Sequence, residues 1–152
     1  FWAVVSVKQM YPGHSNHVGN AVIASTTGHY GLKGVIVVDH DIEADDMDRV
    51  WWALATRFDP KRSAQIIDRG RSTPLDPGLP IEARDITSRI ILDACTPYEW
   101  ANKPQEIFMD RAMLQRVSNR WNEYGFPGVS PVADMIPRLT RPEVKKAAKK
   151  AE

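Results

Sequence analysis

The fold is decided by one stretch, Val-Ile-Val-Val-Asp-His-Asp at residues 35–41. A run of β-branched residues that ends abruptly in charged residues is typical of a strand buried on both faces, and such strands lie inside parallel sheets. Residues 46–57 follow with acidic residues in the first turn and apolar residues further along, as expected for an amphipathic helix. A strand that leads directly into a helix is half of a βαβ unit. The sequence therefore predicts an α/β domain with a mainly parallel or mixed sheet flanked by helices.

Shorter patterns predict the neighbouring elements. The expected N-cap of the first helix is Ser15 or Asn16, because their side-chain oxygens accept from free N–H groups. Since the chain begins inside a predicted strand, we expect it to be a domain of a longer polypeptide. Three further strands are predicted at residues 1–7, 64–68 and 88–93. The first helix is predicted at residues 15–25.

Two segments are predicted to be irregular. The polar loop at residues 26–31 contains two glycines but matches neither G-x-G-x-x-G nor a Walker loop, so it carries no nucleotide fingerprint. Residues 70–87 contain Pro74, Pro77 and Pro80 and show no sustained periodicity. Because prolines restrict backbone freedom, this segment suits a binding wall better than a linker.

The last third of the chain predicts a helical tail. Residues 110–124 place apolar side chains at helical spacing, which indicates a packing face, and residues 141–150 predict a last helix with lysines near its end. Prolines at positions 127, 131 and 137 interrupt the chain between them. A tail with repeated prolines has no sheet to join, so we expect it to lie against another subunit. The apolar stripe consists of Met113, Leu114, Val117 and Trp121.

Composition excludes several functional classes. The 152 residues are 43% hydrophobic and 26% charged, with a net charge of +1, so no global field attracts nucleic acid or an acidic membrane. No apolar run approaches the roughly 20 residues of a membrane span. The single cysteine, Cys95, excludes an internal disulfide framework and fits a reducing compartment, so we expect a cytoplasmic location.

Two candidate ion sites follow from residue type alone, each with a structural alternative. Lys8 and the free N–H groups at the start of the first helix suit an anion, against ordinary turn formation and capping. A group of acidic and imidazole side chains suits a metal. An acidic first turn against the helix dipole is favoured instead, because the EF-hand spacing and its closing Glu are missing. The members of this group are Asp39, His40, Asp41, Asp45, Asp46 and Asp48.

Five short motifs occur in a fixed order along the first two thirds of the chain. They are Val-Ser-Val-Lys-Gln-Met-Tyr-Pro-Gly-His at residues 5–14, Val-Val-Asp-His-Asp-Ile at 37–42, Val-Trp-Trp-Ala-Leu-Ala-Thr-Arg-Phe-Asp-Pro at 50–60, Thr-Pro-Leu-Asp at 73–76, and Ser-Arg with Leu-Asp-Ala at 88–94. In this order and at these separations the sequence resembles the C-terminal part of the UbiD family of reversible decarboxylases. The resemblance covers most of the chain, from about Trp2 to Phe126. It is specific because several distinct motifs recur together.

The resemblance implies a non-oxidative decarboxylase of aromatic (phenolic or heteroaromatic) or α,β-unsaturated carboxylic acids, which releases CO2. It implies prenylated FMN, a divalent metal (Mn or Mg) and in some members potassium, bound mainly by an upstream domain of the same polypeptide. That upstream region also supplies a Glu–Arg–Glu catalytic set in the family. None of the set maps onto this chain, so we expect the chain alone to be inactive.

The resemblance also implies roles for individual residues. Thr73 and Leu75 match the loop that lines the substrate pocket, and Leu32 ends a segment that approaches substrate and flavin phosphate. That segment begins at Thr27, where some relatives carry a lysine, so the cationic contact to the cofactor is expected from Lys33 or Lys8. The implied substrate residues are therefore Thr73, Leu75 and Leu32, and the implied cofactor residues are Thr27, Lys33 and Lys8.

The predicted organisation is a UbiD-like α/β domain at residues 1–126, followed by a proline-rich connector and helix at 127–152 that serves as an oligomerisation tail. We expect a homo-oligomer, most simply a two-fold dimer. Two alternatives stay open. One is a non-catalytic binding or assembly module. The other is a metal-dependent hydrolase built from His14, His17, Asp39 and Asp41.

Overall fold

A computed structural model describes residues 1–140, without the side chains of Ala83 and Arg138. The chain forms two compact units, Phe1–Lys103 and Pro104–Glu152. The helix predicted at 141–150 lies outside the described residues, and the domain boundary at residue 126 stays a prediction. Among residues 1–140, no helix has the length and apolar character needed to cross a membrane.

The first unit is built on a four-stranded mixed sheet with the order β1-β2-β4-β3. Strands β1, β2 and β4 are parallel, whereas β3 runs antiparallel to β4. Every residue of β2 is buried, as the β-branched run predicted. This arrangement confirms the α/β class with a mixed sheet. The strands are β1 Trp2–Val7, β2 Gly34–Asp39, β3 Ala64–Arg71 and β4 Ile86–Ala94.

Helices cover both faces of this sheet, and the alternation of β2 separates two cores. Val35 and Val37 point to the side of helix α1, His14–Ala24, where they pack with Ile91. Ile36 and Val38 point to the opposite face and pack against helix α3, Met47–Thr56. The two short helices of this unit are α2 Gly28–Gly31 and α4 Pro60–Ser63.

Several boundaries differ from the prediction. Helix α1 is preceded by Gly13, at φ 81°, so neither Ser15 nor Asn16 is its N-cap. Ser15 is instead buried inside the helix, where its hydroxyl donates to Asp93 at 2.6 Å. The loop predicted at residues 26–31 contains a turn of helix, because Arg89 binds its carbonyls, as described below.

Strand β3 is longer than predicted and contains a β-bulge. Its register shifts between Ile67, which pairs with Arg89, and Gly70, which pairs with Thr87. Three steps along β3 therefore correspond to two along β4, and Arg69 within the bulge adopts φ 59°. Since β3 extends to Arg71 and β4 begins at Ile86, the irregular segment is shorter than predicted. It also contains a 3₁₀ turn at Ile81–Ala83.

The second unit contains two helices that pack together, α5 Arg111–Asn119 and α6 Val132–Leu139. Leu114 and Ile136 are buried, whereas Met113 is exposed, so the predicted apolar stripe is only partly a packing face. The helix predicted at 110–124 ends at Asn119 and is followed by a 3₁₀ turn, Trp121–Tyr124. Pro137 lies inside α6 and does not end it.

Candidate functional site

Three of the six predicted site residues meet in one cleft of the first unit. Leu32 and Lys33 directly precede β2, and Thr73 follows the end of β3. The parallel strands begin at the edge where the antiparallel β3 ends, so these separate segments converge there. We call this the amino-edge cleft. It is lined by Phe1, Tyr30, Gly31, Leu32, Lys33, Arg71, Ser72, Thr73, Asp76 and Thr87.

The loop that carries Thr73 is held by its own hydrogen bonds. The Thr73 hydroxyl accepts from the Leu75 N–H at 3.3 Å, and its carbonyl accepts from the Asp76 N–H at 3.0 Å. Asp76 Oδ1 then accepts from the Gly78 N–H at 2.9 Å. These turns bury Thr73, which is 4% exposed, and leave Leu75 78% exposed. Thr73 therefore lines the cleft, whereas Leu75 presents its side chain to solvent.

An ion pair joins Lys33, the residue before β2, to the loop that follows β3. Lys33 Nζ lies 2.7 Å from Asp76 Oδ1, and Asp76 is only 1% exposed. The hydrogen bond from Lys33 holds the pKa of Asp76 below its ordinary value of 3.8, against the opposing effect of burial. The Lys33 N–H donates to the Phe1 carbonyl at 2.7 Å, which ties the starts of β1 and β2 together. The charge of Lys33 is therefore compensated within the domain.

Arg89 joins two of the segments that form the cleft, and it was not predicted as a site residue. It is 4% exposed, and its guanidinium donates to the Gly28 carbonyl at 2.7 Å and to the carbonyls of His29 and Arg71. Burial lowers the pKa of this guanidinium, and its Nε has no partner. The signal in the sequence was a lone cation before an apolar run in a predicted strand, although carbonyl partners distant in sequence are visible only in the fold.

The two remaining residues lie elsewhere. Thr27 is exposed and directly precedes α2, where its carbonyl accepts from the Gly31 N–H at 3.2 Å. Lys8 follows the last residue of β1, so it lies at the opposite, carboxyl edge of the sheet and does not join the cleft. Their assignment to the cofactor stays a prediction.

The carboxyl edge is closed by a polar network around Asp39. One carboxylate oxygen accepts from Gln9 Nε2 at 2.8 Å, and the other accepts from the Thr96 N–H at 2.8 Å and from Arg57 at 3.2 Å. Arg57 also binds both oxygens of Asp41, at 3.0 and 2.6 Å. Burial by itself would raise the pKa of Asp41, but the Arg57 guanidinium outweighs it and lowers that pKa. These carboxylates therefore join strand and helix ends together.

The structure also tests the predicted metal site and the metal-dependent hydrolase alternative. Among residues 1–140, no group of three or more His, Cys, Asp or Glu side chains is arranged to hold a metal ion. The His14 ring stacks on Tyr11 with centroids 4.4 Å apart, and His17 Nδ1 lies 3.3 Å from the Tyr11 hydroxyl. The described residues thus provide no centre for the hydrolase alternative.

Cys95 provides no nucleophile at this edge. Its thiol is buried and lies 3.7 Å from the Val37 carbonyl, to which it donates. Burial, and after it the negative charge of Asp93, raises the pKa of the Cys95 thiol. Because the thiolate is the reactive form, this cysteine acts as a small core residue.

The family of the chain follows from its comparison with known proteins. The sequence model of the 3-octaprenyl-4-hydroxybenzoate carboxy-lyase C-terminal domain matches residues 1–94. The chain belongs to the UbiD family. The matched residues contain all four strands and every residue that lines the amino-edge cleft. Membership therefore confirms the resemblance inferred from the motifs.

Individual relatives agree with this assignment. An uncharacterized protein of Aeropyrum pernix is 34% identical over 128 residues, which are 81% of this chain and 26% of that protein. The vanillic acid decarboxylase of Sedimentibacter hydroxybenzoicus in its open form has a TM-score of 0.64 and 27% identity, over 81% of this chain and 25% of that one. The UbiD-class enzyme HmfF of Pelotomaculum thermopropionicum in complex with FMN has a TM-score of 0.61 and 28% identity, over 72% of this chain and 23% of that one. The chain thus spans about a quarter of the length of these proteins.

Proposed function

We propose that this chain is the C-terminal domain of a reversible non-oxidative decarboxylase that acts on aromatic (phenolic or heteroaromatic) or α,β-unsaturated carboxylic acids with prenylated FMN. One observation carries the proposal. Leu32, Lys33 and Thr73, which the family resemblance implies as ligand contacts, meet in the amino-edge cleft. The proposal is also supported by the decarboxylase and the FMN-bound enzyme among the structural relatives.

The chemistry of the cleft suits one edge of an aromatic acid. The residues that line the cleft include the aromatic Phe1 and Tyr30 and the aliphatic Leu32. Thr73 places a hydroxyl close to them, and a hydroxyl both donates and accepts hydrogen bonds. An apolar surface with a few fixed polar groups is the usual composition of a small-molecule site. In this proposal the domain forms a wall of the substrate pocket and selects substrates by shape and by one hydrogen bond.

The residues of the cleft also fit contact with part of a flavin. Ring faces, hydroxyl groups and cations recognise an isoalloxazine edge, a ribityl chain or a phosphate, and all three kinds of group line the cleft. When bound, prenylated FMN supplies the electrophilic chemistry that labilises the carboxylate. Of the implied cofactor residues Thr27, Lys33 and Lys8, Lys33 is the one that lines the cleft and would contact the flavin there, and the upstream domain would hold most of it.

The metal part of the proposal does not fit the described residues, which offer no suitable ligand group. The Mn or Mg ion and potassium therefore belong to the upstream domain in this proposal, as do the proton-transfer carboxylates. We propose a cytoplasmic homo-oligomer, in which this chain contributes subunit contacts but no catalytic residue and is inactive alone.

The size of residue 73 tests the proposal in the full-length enzyme. Thr73 is buried and lines the cleft, so in the proposed complex Thr73→Phe would place its ring against the substrate, whereas the proposed flavin contact Lys33 is unchanged. We expect kcat/KM for bulky acids to fall at least about tenfold relative to kcat/KM for small acids. A loss of about 1.4 kcal/mol of transition-state binding has that effect. Decarboxylation of an acid series and flavin absorbance measure the two properties.

The matched control is Thr56→Phe, which places the same bulk on an exposed position at the end of α3. It should leave both the acid series and the flavin content unchanged. An unchanged ratio of bulky to small acids in Thr73→Phe would remove Thr73 from the substrate pocket. Absence of decarboxylation in the unmutated full-length protein would refute the proposed activity itself.

A further inference from the structure

The amino-edge cleft contains two cations with different surroundings. Lys33 is paired with the buried carboxylate of Asp76 at 2.7 Å, so its charge is already compensated. Arg71 also lines the cleft and is exposed, and no carboxylate among residues 1–140 forms an ion pair with it. The cleft residues therefore carry one cation without a compensating carboxylate.

The guanidinium of Arg71 is held against an aromatic ring. Its central carbon lies 5.0 Å from the centroid of the Tyr30 ring, within the range of a cation–π contact. A ring contact satisfies the π system of the guanidinium but none of its five N–H groups, which radiate in one plane. The contact therefore restricts where the donors lie and leaves them able to bind a ligand.

Arg89 holds both halves of this contact. Its guanidinium donates to the carbonyls of Gly28 and His29 in the helix that carries Tyr30, and to the carbonyl of Arg71 itself. Two segments distant in sequence are thus joined through one buried side chain. A binding group that is held in place before the ligand arrives loses less entropy on binding.

Hydroxyl donors lie around the same space. Ser72 and Thr73 are buried, and together with Thr87 they line the cleft beside Arg71. A guanidinium with neighbouring hydroxyls matches the planar oxygens of a carboxylate and the oxygens of a phosphate. Ligands with neutral ring nitrogens or amides would gain less from the positive charge of the guanidinium.

We propose that Arg71 is the residue of this cleft that recognises an oxyanion, a phosphate or a carboxylate, whereas Lys33 positions the loop at residues 73–78 through Asp76. This inference rests on the proposed function only in naming the ligands, which are the flavin phosphate or an aromatic carboxylate. It also replaces Lys33 by Arg71 as the cationic contact to the ligand.

Arg71→Gln in the full-length protein tests the inference, with binding followed by titration calorimetry. FMN is compared with riboflavin, which lacks the phosphate, and benzoate is compared with benzamide, which lacks the charge. Since a hydrogen bond to a charged group contributes about 1.5–3 kcal/mol, we expect about a tenfold to hundredfold loss of affinity for the anionic member of one pair. Its neutral counterpart should keep its affinity. The pair affected identifies the source of the oxyanion.

Arg69→Gln is the matched control, because it removes the same charge from an exposed position two residues away that does not line the cleft. It should change neither pair. Lys33→Gln should affect the charged and neutral members of each pair alike, since it acts through the loop. Inorganic phosphate serves as a probe that needs no flavin chemistry and should also bind more weakly to Arg71→Gln.

Equal affinities in Arg71→Gln and the unmutated protein for FMN, benzoate and phosphate would overturn the inference. So would a loss confined to the anionic members in Lys33→Gln. A protein that binds phosphate through Arg71 but decarboxylates none of the acids would refute the proposed function and support this inference, so the two failures are distinguishable.

Discussion

Gly70→Ala should loosen the amino-edge cleft without touching a ligand contact. A Cβ built on Gly70 lies 2.7 Å from Arg89 Nε and 3.2 Å from its Cδ, whereas ordinary contacts begin near 3.4 Å. Arg89 cannot easily move away, because three carbonyls hold its guanidinium. Either the side chain leaves these carbonyls or strand β3 shifts outward, and both changes disturb the segments that carry Arg71 and Tyr30.

The magnitude follows from two opposing effects. Overpacking of this kind costs about 1–3 kcal/mol, whereas replacing Gly by Ala stabilises by about 0.4–1 kcal/mol through the unfolded chain. We therefore expect the free energy of unfolding to fall by roughly 1–2 kcal/mol, as measured by urea denaturation of the 152-residue chain. Gly31→Ala is the control, because a Cβ there meets nothing within 4 Å.

A second background isolates the cause. Arg89→Val removes Nε and Cδ, so Gly70→Ala in that background should be neutral or stabilise by up to about 1 kcal/mol. The destabilisation by Gly70→Ala should therefore be absent in the Arg89→Val background. An equal cost in both would show that Arg89 is not what excludes a side chain at position 70.

Two further predictions concern the loop and the tail. Because Lys33 lowers the pKa of Asp76, the ion pair stabilises the fold fully above the ordinary pKa of 3.8 and loses this effect as pH falls through the lower folded value. Thermal unfolding of Asp76→Asn should therefore depend less on pH below about 4 than that of the unmutated chain, and parallel curves would contradict the pair's role. Truncation after Gly125 should lower the number of subunits in the oligomer, as measured by light scattering, whereas an unchanged number of subunits would show that the tail is not needed for assembly.

The sheet was largely predictable because its signals are local. The β-branched run that forms β2 requires burial on both faces whatever surrounds it, and the acidic first turn of α3 begins where the dipole favours it. The capping residue Asp46 accepts from the Arg49 N–H at 3.2 Å, so the predicted start of this helix is confirmed within one residue. Patterns that depend on neighbours in sequence were therefore reliable.

The misassigned elements depended on distant partners. Ser15 has the chemistry of an N-cap, yet its hydroxyl binds Asp93, which lies 78 residues away. The turn of helix at Gly28–Gly31 is too short to persist by local propensity, and it receives bonds from Arg89. No periodicity encodes such pairings.

The candidate site was predictable only through the family motifs. They indicated Thr73, Leu32 and Lys33, and the fold brings these residues together at the amino edge. General experience with open α/β sheets favours the carboxyl edge, where Lys8 lies, but Asp39 and Arg57 fill that edge with internal hydrogen bonds. The compensation of Lys33 by Asp76 was also hidden, since 43 positions separate them and only the antiparallel return of β3 brings them together.

The bulge in β3 has a consequence for engineering this domain. Its extra residue determines that a glycine, and no residue with a side chain, lies opposite Thr87 and against Arg89. If the bulge were lost at constant length and the pairing ran on regularly from Ile67, Arg69 would lie opposite Thr87, where a Cβ has no room. Libraries that aim to retune this cleft should therefore preserve the bulge at residues 68 and 69 together with the glycine at position 70.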